Sequence, residues 1–326
     1  MASIREVAKR AGVATCTVSR VLNGTAPVSE ETKKKIEQAM QELDYIPNEL
    51  ARGMFRQKAG IVAMLVPSIR HPFFSSLAES IERDLYQNGY KLMLCSTSNE
   101  IEREKEYLKF LKSNIVDGLI MAVNNLSAED YQALNKPVIM LDYYVDEQIP
   151  VVVSDHRQGG ILAAEEFIRN KCSYVLHLCA DRTADNVISY ESHEALEQTL
   201  REHGIKSRAV EICWDVFDLN EYEELAKSIF EHYPEIDGVM CADMPAVAFL
   251  NAAIALGKQV PEEVAIVAYD GTYVVNMSNR SMTTIVQPIE AIAENVVEIM
   301  VKMIDNQPIE KRHIRLPLRI DRGDTT

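Results

Sequence analysis

The sequence predicts a two-part molecule: a small all-helical head, then a two-lobed α/β body with parallel sheets. Three observations carry this. The first sixty residues show helical spacing and no strand-like run. Beyond residue 60, short β-branched or apolar runs alternate with amphipathic helical stretches. The 326 residues also exceed one ordinary domain, and their 47% hydrophobic content is enough to bury a full core.

In the head, Ile4, Val7, Ala8 and Ala11 recur at helical spacing, and Gly12 stops the run. A second helix begins near Thr15, carries Val18, Val21 and Leu22 on one face, and ends at Asn23-Gly24. Ser29 then opens a third, with Glu30 and Glu31 in the first turn where the helix dipole favours acids. Its inner stripe is Ile36, Met40 and Leu43, and Tyr45-Ile46-Pro47 closes it. The polar stretch 48–58, with Gly53, reads as a linker or a marginal helix.

In the body, apolar runs at 61–66, 91–95, 118–121, 138–141, 151–153, 174–178, 209–213, 238–241 and 264–269 read as strands. Strand–helix–strand order with buried strands implies parallel sheets covered on both faces. Nine strands fit two doubly wound lobes better than one.

Charge is divided unevenly. The chain carries −15 overall, yet residues 1–58 hold ten Lys/Arg against seven Asp/Glu, which leaves 24 against 42 for the rest. A basic head of +3 on an acidic body of −18 suits phosphate contact by the head. The N-terminus has no apolar signal-peptide core, and no apolar run reaches the roughly 18 residues of a membrane span. Cysteines 16, 95, 172, 179, 213 and 241 form no CxxC pair or zinc-finger spacing, so reduced thiols in the cytoplasm are expected.

Two helices joined by Gly12-Val13-Ala14 have helix-turn-helix spacing, which would lay the second in a major groove. Thr15, Cys16, Thr17, Ser19 and Arg20 then face the bases. Thr and Ser can bond bases or phosphates, and Arg can read guanine bidentately. A helical hairpin of this kind is also a plain structural element, and spacing alone leaves both readings open.

The segments Val7-Ala8-Lys9-Arg10-Ala11-Gly12-Val13 and Thr17-Val18-Ser19-Arg20-Val21-Leu22-Asn23 resemble the head of the lac/gal repressor family. The match continues, ungapped, through Val28-Ser29-Glu30-Glu31-Thr32 and Leu43-Asp44-Tyr45-Ile46-Pro47-Asn48, and more loosely from Gly60 to about Pro317. The resemblance implies a homodimer whose heads read a pseudo-palindromic operator in double-stranded DNA. It adds Asn23 to the reading set. It also implies a hinge helix after Pro47, where Asn48 and Ala51 meet DNA and Met54 wedges between base pairs from the minor groove. Gly53 weakens that helix by about 1 kcal/mol relative to Ala, which suits formation against DNA only. One departure is Ala14, where the family usually has a Ser that caps the reading helix; Thr15 is the residue left to take over.

The implied organisation is a head and hinge at 1–58 and a periplasmic-binding-protein-like effector and dimerisation domain at 59–326. Lobe one takes about 60–157 and 287–316, lobe two about 158–286 and 317–326. A ligand of such a body sits in the cleft at the carboxyl ends of the strands. Phe73, Phe74, Asp142, Asp155, Trp214, Asp243 and Asp270 follow expected strands. Acids there also cap helices, so each alone is ambiguous. The resemblance selects Phe73 and Phe74 as a cleft-facing aromatic pair, Trp214 as a stacking ring, Asp270 as the hydroxyl-binding acid and Gln287 as a neighbour of the ligand. It leaves Asp243 to helix capping. Where the family usually anchors its effector with an Arg, three residues before a Gly, this chain has Ser192 and Ala195. Arg182 is the candidate substitute. Asp155-His156 likewise replaces the more usual Asp-Asn pair.

No GxSxG elbow, P-loop, GxGxxG after a strand or HExxH is present, and Gly159-Gly160 alone is too weak a signal for catalysis. The expected function is a cytoplasmic, nucleoid-associated repressor of carbohydrate-metabolism genes, without cofactor, metal or membrane attachment. A sugar or sugar phosphate in the cleft would control it. Competing readings are a regulator answering to a protein partner or a purine, and a plain solute-binding protein.

Overall fold

The computed structural model describes residues 2–23, 27–46, 58–134, 136–179, 188–212 and 217–326. Helix α1 (Ile4–Ala11) starts with a reciprocal capping box between Ser3 and Glu6 and ends at Gly12, whose φ of +69° suits glycine. Helix α2 (Thr15–Asn23) follows after three residues, with Thr17 N donating to the carbonyl of Ala14. Helix α3 (Glu30–Glu42) is capped by Ser29, which accepts from Thr32 N at 3.3 Å. Val7, Ala8, Val18, Ile36 and Ala39 form the small core that locks the three together. An ion pair between Arg10 and Glu42 ties α1 to α3.

The described chain resumes at Lys58, and its start in the body is fixed by one carboxylate. Asp117 accepts from Ala59 N at 2.7 Å and from Gly60 N at 2.6 Å. From there run β1 (Ile61–Val66), α4 (Pro72–Gln87), β2 (Lys91–Ser96), α5 (Ile101–Lys112), β3 (Gly118–Met121), α6 (Ala128–Gln132), β4 (Val138–Leu141) and β5 (Val151–Ser154). The chain then crosses to a second lobe with α7 (His156–Arg169), β6 (Tyr174–Cys179), α8 (Glu191–Glu202), β7 (Lys206–Glu211), α9 (Leu219–His232), β8 (Gly238–Ala242), α10 (Asp243–Ala255), β9 (Ala265–Asp270) and β10 (Thr283–Val286). It returns to the first lobe as α11 (Ile289–Ile304) and β11 (His313–Leu316), and ends in the second as β12 (Arg319–Asp321).

Each lobe is one six-stranded sheet. The first has the order β11-β5-β4-β3-β1-β2, all parallel; the second has β12-β10-β9-β8-β6-β7, parallel except for antiparallel β12. Helices cover both faces, as buried parallel strands require. On the first sheet, α4 and α11 pack Leu77, Ile81, Val296 and Met300 on one face, while α5 and α6 pack Leu108, Leu111 and Tyr131 on the other. On the second, α9 and α10 bury Phe230 and Phe249 opposite Phe167 and Leu196 of α7 and α8.

The sequence expectation differs from the structure mainly at sheet edges. The strand expected at 209–213 lies at Lys206–Glu211, and β11 and β12 carried no apolar run. These three are edge strands, half open to water, so their polar residues mask the strand pattern; interior β10 is buried but was not expected as a strand, because it opens on the polar Thr283 and Thr284. Among the described residues, no helix is long and apolar enough to cross a membrane.

Candidate functional site

On α2, Val18 is wholly buried and turns the rest of the helix outward. Thr15, Cys16 and Arg20 are exposed, and Thr17 and Ser19 half-buried. Cys16 and Arg20 sit one turn apart, so the exposed face is continuous along the helix. Asn23 is the last residue of α2. The basic side chains Arg5, Lys9, Lys33 and Lys34 are exposed on the flanking helices. Asn48, Ala51 and Met54 lie outside the described residues.

Between the lobes, the carboxyl ends of β3, β4, β5, β8, β9 and β10 converge with the start of α4 on a cavity of about 250 Å³. A smaller chamber of about 110 Å³ adjoins it, sharing His71, Ala242 and Asp270. Together they lie at the small end of the range that encloses metabolites. The structure brings Phe73, Phe74, Ser192, Asp270 and Gln287 to this cavity. Trp214 and Arg182 lie outside the described residues.

The aromatic wall is local in origin. His71 caps α4, with Nδ1 accepting from Phe73 N at 3.3 Å, and the first turn then presents Phe73 and Phe74, 5.4 Å apart and edge-on. The residue surface of His71 is partly open, but its ring is wedged between Phe74 and Phe217. Burial there pushes its pKa down to about 4, so it is neutral near pH 7.

The polar floor joins the lobes. Ser154, at the end of β5, donates to Gln287 Oε1 at 2.7 Å, and Gln287 Nε2 donates to Asp270 Oδ1 at 2.8 Å. Asp270 has a φ of +104°, uncommon for a side chain with a Cβ, which costs on the order of 1–3 kcal/mol. Its place just after Tyr269 lets both residues line the same cavity despite strand alternation. Burial pushes the Asp270 carboxyl well above the usual carboxylate range, and the charges of Asp243 and Asp142 push it further.

One placement corrects the sequence expectation, and two others sharpen it. Asp243 does not cap α10; its carboxylate accepts from Thr272 N at 2.6 Å, Thr272 Oγ1 at 2.7 Å and Gly271 N at 3.3 Å. It thereby pins the turn after β9, and burial raises its pKa to about 6. Asp155, which the sequence left open between cleft acid and helix cap, caps α7 by accepting from Gln158 N at 3.1 Å. Ser192 is in place but turned to its own chain, donating to the carbonyl of Ser189 at 2.8 Å.

The cleft residues that sequence reasoning did not mark as ligand contacts include His71, His156 and Tyr269, and Ser154 supports them from beneath through Gln287. His156 is 1% exposed, stacks on Tyr269 and places Nδ1 2.9 Å from the Tyr269 hydroxyl. Its signal was available, since His156 stands where an Asn was expected. Gly159-Gly160 explains how α7 comes this close. A Cβ on Gly159 would lie 2.5 Å from the Tyr269 hydroxyl, and one on Gly160 2.0 Å from the Ser192 carbonyl. The lobes are also tied outside the cavity, by Arg70 donating to Phe217 O at 2.9 Å and Arg315 to Glu191 at 2.6 Å. Among the described residues, no His, Cys, Asp and Glu cluster could hold a metal ion.

Comparison with known proteins agrees with both halves. Residues 3–48 match the family described as bacterial regulatory proteins, lacI family, and residues 164–326 match a periplasmic binding protein-like domain. The ribose operon repressor of Halalkalibacterium halodurans is 34% identical over 100% of this chain and 97% of its own length. This chain belongs to the lacI family of bacterial regulatory proteins. The sucrose operon repressor of Streptococcus mutans is 33% identical over 100% of this chain and 99% of its own. Among solved structures, a periplasmic binding protein/LacI transcriptional regulator from Alkaliphilus metalliredigens, complexed with D-xylulofuranose, has a TM-score of 0.73. It is 25% identical and covers 82% of this chain and 99% of its own. In this lacI-family member, the helix-turn-helix and the two-lobed cleft are joined in one polypeptide.

Proposed function

We propose that this chain is a homodimeric, sequence-specific DNA-binding repressor of carbohydrate-metabolism genes, released from or held on its operator by a sugar in the inter-lobe cleft. The observation that carries this reading is the pairing, in one chain, of an exposed polar helix face with an enclosed cleft of aromatic and hydroxyl-binding groups. Head and hinge are residues 1–58. Thr15, Cys16, Thr17, Ser19, Arg20 and Asn23 read the major groove, and Asn48, Ala51 and Met54 act in the minor groove. Residues 59–326 bind effector and pair the two copies.

In the cleft, Phe73 and Phe74 pack on the sugar's C–H face while Asp270 and Gln287 take its hydroxyls, with Trp214 and Ser192 beside them. Relatives named as ribose and sucrose operon repressors, and a similar structure holding D-xylulofuranose, support a sugar as ligand. The same relatives are repressors, which supports a regulator without catalytic activity, working in the cytoplasm on the nucleoid. The test is a gel shift of upstream genomic fragments by the purified protein, with and without monosaccharides. A retarded band, changed by at least one sugar, is expected. Absence of any retarded fragment sinks the repressor reading, and release by a purine alone moves the effector to that class.

A further inference from the structure

We infer that the cleft selects an uncharged, monosaccharide-sized polyol over its phosphate ester, and that His156 is the side chain that takes one of the polyol's hydroxyls. This rests on the effector reading above and narrows it. Asp142 and Asp270 line the main chamber, and Asp243 and Asp270 the smaller one. An ionised carboxyl only accepts hydrogen bonds, so it pairs with a hydroxyl that donates, and the Asp270 carboxyl, pushed well above the usual carboxylate range by burial, already resists negative charge in this cavity. Phosphate oxygens are themselves acceptors and bring like charge into a cavity where it is poorly screened.

Among the described lining residues, the basic ones are His71 and His156. With His71 Nδ1 occupied by Phe73 N, the neutral ring has Nε2–H left to donate. It offers a hydroxyl a donor without offering a phosphate a charge.

His156 points to a ligand independently of the acids. Its Nε2 lies 3.2 Å from Asp142 Oδ1, yet out of line for a hydrogen bond, and among the described residues this buried nitrogen has no hydrogen-bond partner. Buried polar nitrogens in folded proteins are normally satisfied. Asp142 is positioned by accepting from Ser154 N at 3.1 Å through the same oxygen. When the Tyr269 hydroxyl donates to Nδ1, the ring proton sits on Nε2, on the side of Asp142, which lines the cavity. One ligand hydroxyl can then accept from His156 Nε2 and donate to Asp142. His156 thus supplies a contact that Ser192, which donates to the Ser189 carbonyl, does not.

The experiment is calorimetric titration of the full chain with D-ribose, D-xylulose, D-fructose and D-glucose, each beside its phosphate ester. Sugars that bind are expected to do so at least tenfold more tightly than their esters. His156→Ala should weaken them at least tenfold, and His156→Gln, which keeps a donor, should recover part of that. Melting of each variant without sugar checks its fold, and if His156→Ala does not fold, His156→Gln and His156→Asn carry the comparison. An ester bound as tightly as its parent sugar overturns the selection, and its loss in Arg182→Ala would name the cation responsible. Unchanged sugar affinity in folded His156 variants overturns the part given to His156. Silence from every sugar and ester, with the operator still bound, overturns the effector reading itself.

Discussion

On α2, Thr15, Cys16 and Arg20 are exposed and Thr17 and Ser19 half-buried, all within consecutive turns of one helix, whereas the cleft draws buried and half-buried residues from His71 to Ile292. The first surface is held in place by what lies behind it: Val18 in the core fixes the helix, and Arg20 has only to point away. The second surface has no such division of labour. Asp270, Gln287 and Ser154 bond one another across the lobes, and Asp243 holds a turn as well as a wall. A reading surface can therefore change its specificity without touching stability, while a cleft residue serves binding and folding at once.

The contrast breaks most easily at Asp243. Asp243→Ala strips the acceptor from two backbone N–H groups and the Thr272 hydroxyl, and a loss of about 3 kcal/mol is expected in urea unfolding. A loss below about 1 kcal/mol would show that the turn stands unaided. Gly160→Ala comes next, because its Cβ would meet the Ser192 carbonyl at 2.0 Å and neither backbone can move freely. About 2 kcal/mol of destabilisation is expected, together with weaker sugar binding as α8 shifts. Unaltered stability would mean that the α7–α8 contact is looser than drawn.

In the head the signs should separate. Arg20→Ala is expected to weaken specific operator binding by about 1.5 kcal/mol, close to tenfold, with stability changed by less than about 0.5 kcal/mol. Gel shifts and thermal melts on the same preparation decide it; equal losses in both would erase the distinction between the two surfaces.

The smallest effect concerns pH. His71 is neutral in the fold, with a pKa of about 4, whereas the unfolded chain takes up its proton near 6.5. Its stabilising effect is complete above pH 6.5 and is lost as pH falls from there towards 4. Asp243 acts with the opposite sign: its raised pKa gives stability at low pH that fades as pH rises through about 4 to 6. Comparing wild type with His71→Asn, which keeps a capping side chain, cancels the Asp243 contribution. Wild type should lose more stability on acidification, by on the order of 1 kcal/mol at pH 5.5. Parallel melting curves from pH 7 to 5 would place His71 in water.

What the sequence determined alone is whatever rests on neighbours in the chain. The head is legible because each helix signal, from Gly12 as a stop to Ser29 as a cap, acts within four residues. Interior strands such as Gly118–Met121 and Val138–Leu141 are legible because burial on both faces leaves only apolar residues. The tertiary structure decided the rest. The edge strands β7, β11 and β12 are half-polar and became strands through pairing. In the cleft, Phe73, Phe74, Asp270 and Gln287 could be marked one by one as strand-end residues. Their meeting, the turn-holding role of Asp243 and the unmatched nitrogen of His156 arise only where the lobes are brought together. Hydrogen bonds between Ser154 and Gln287, 133 residues apart, leave no periodic trace in a sequence, because what they satisfy is a distance in space.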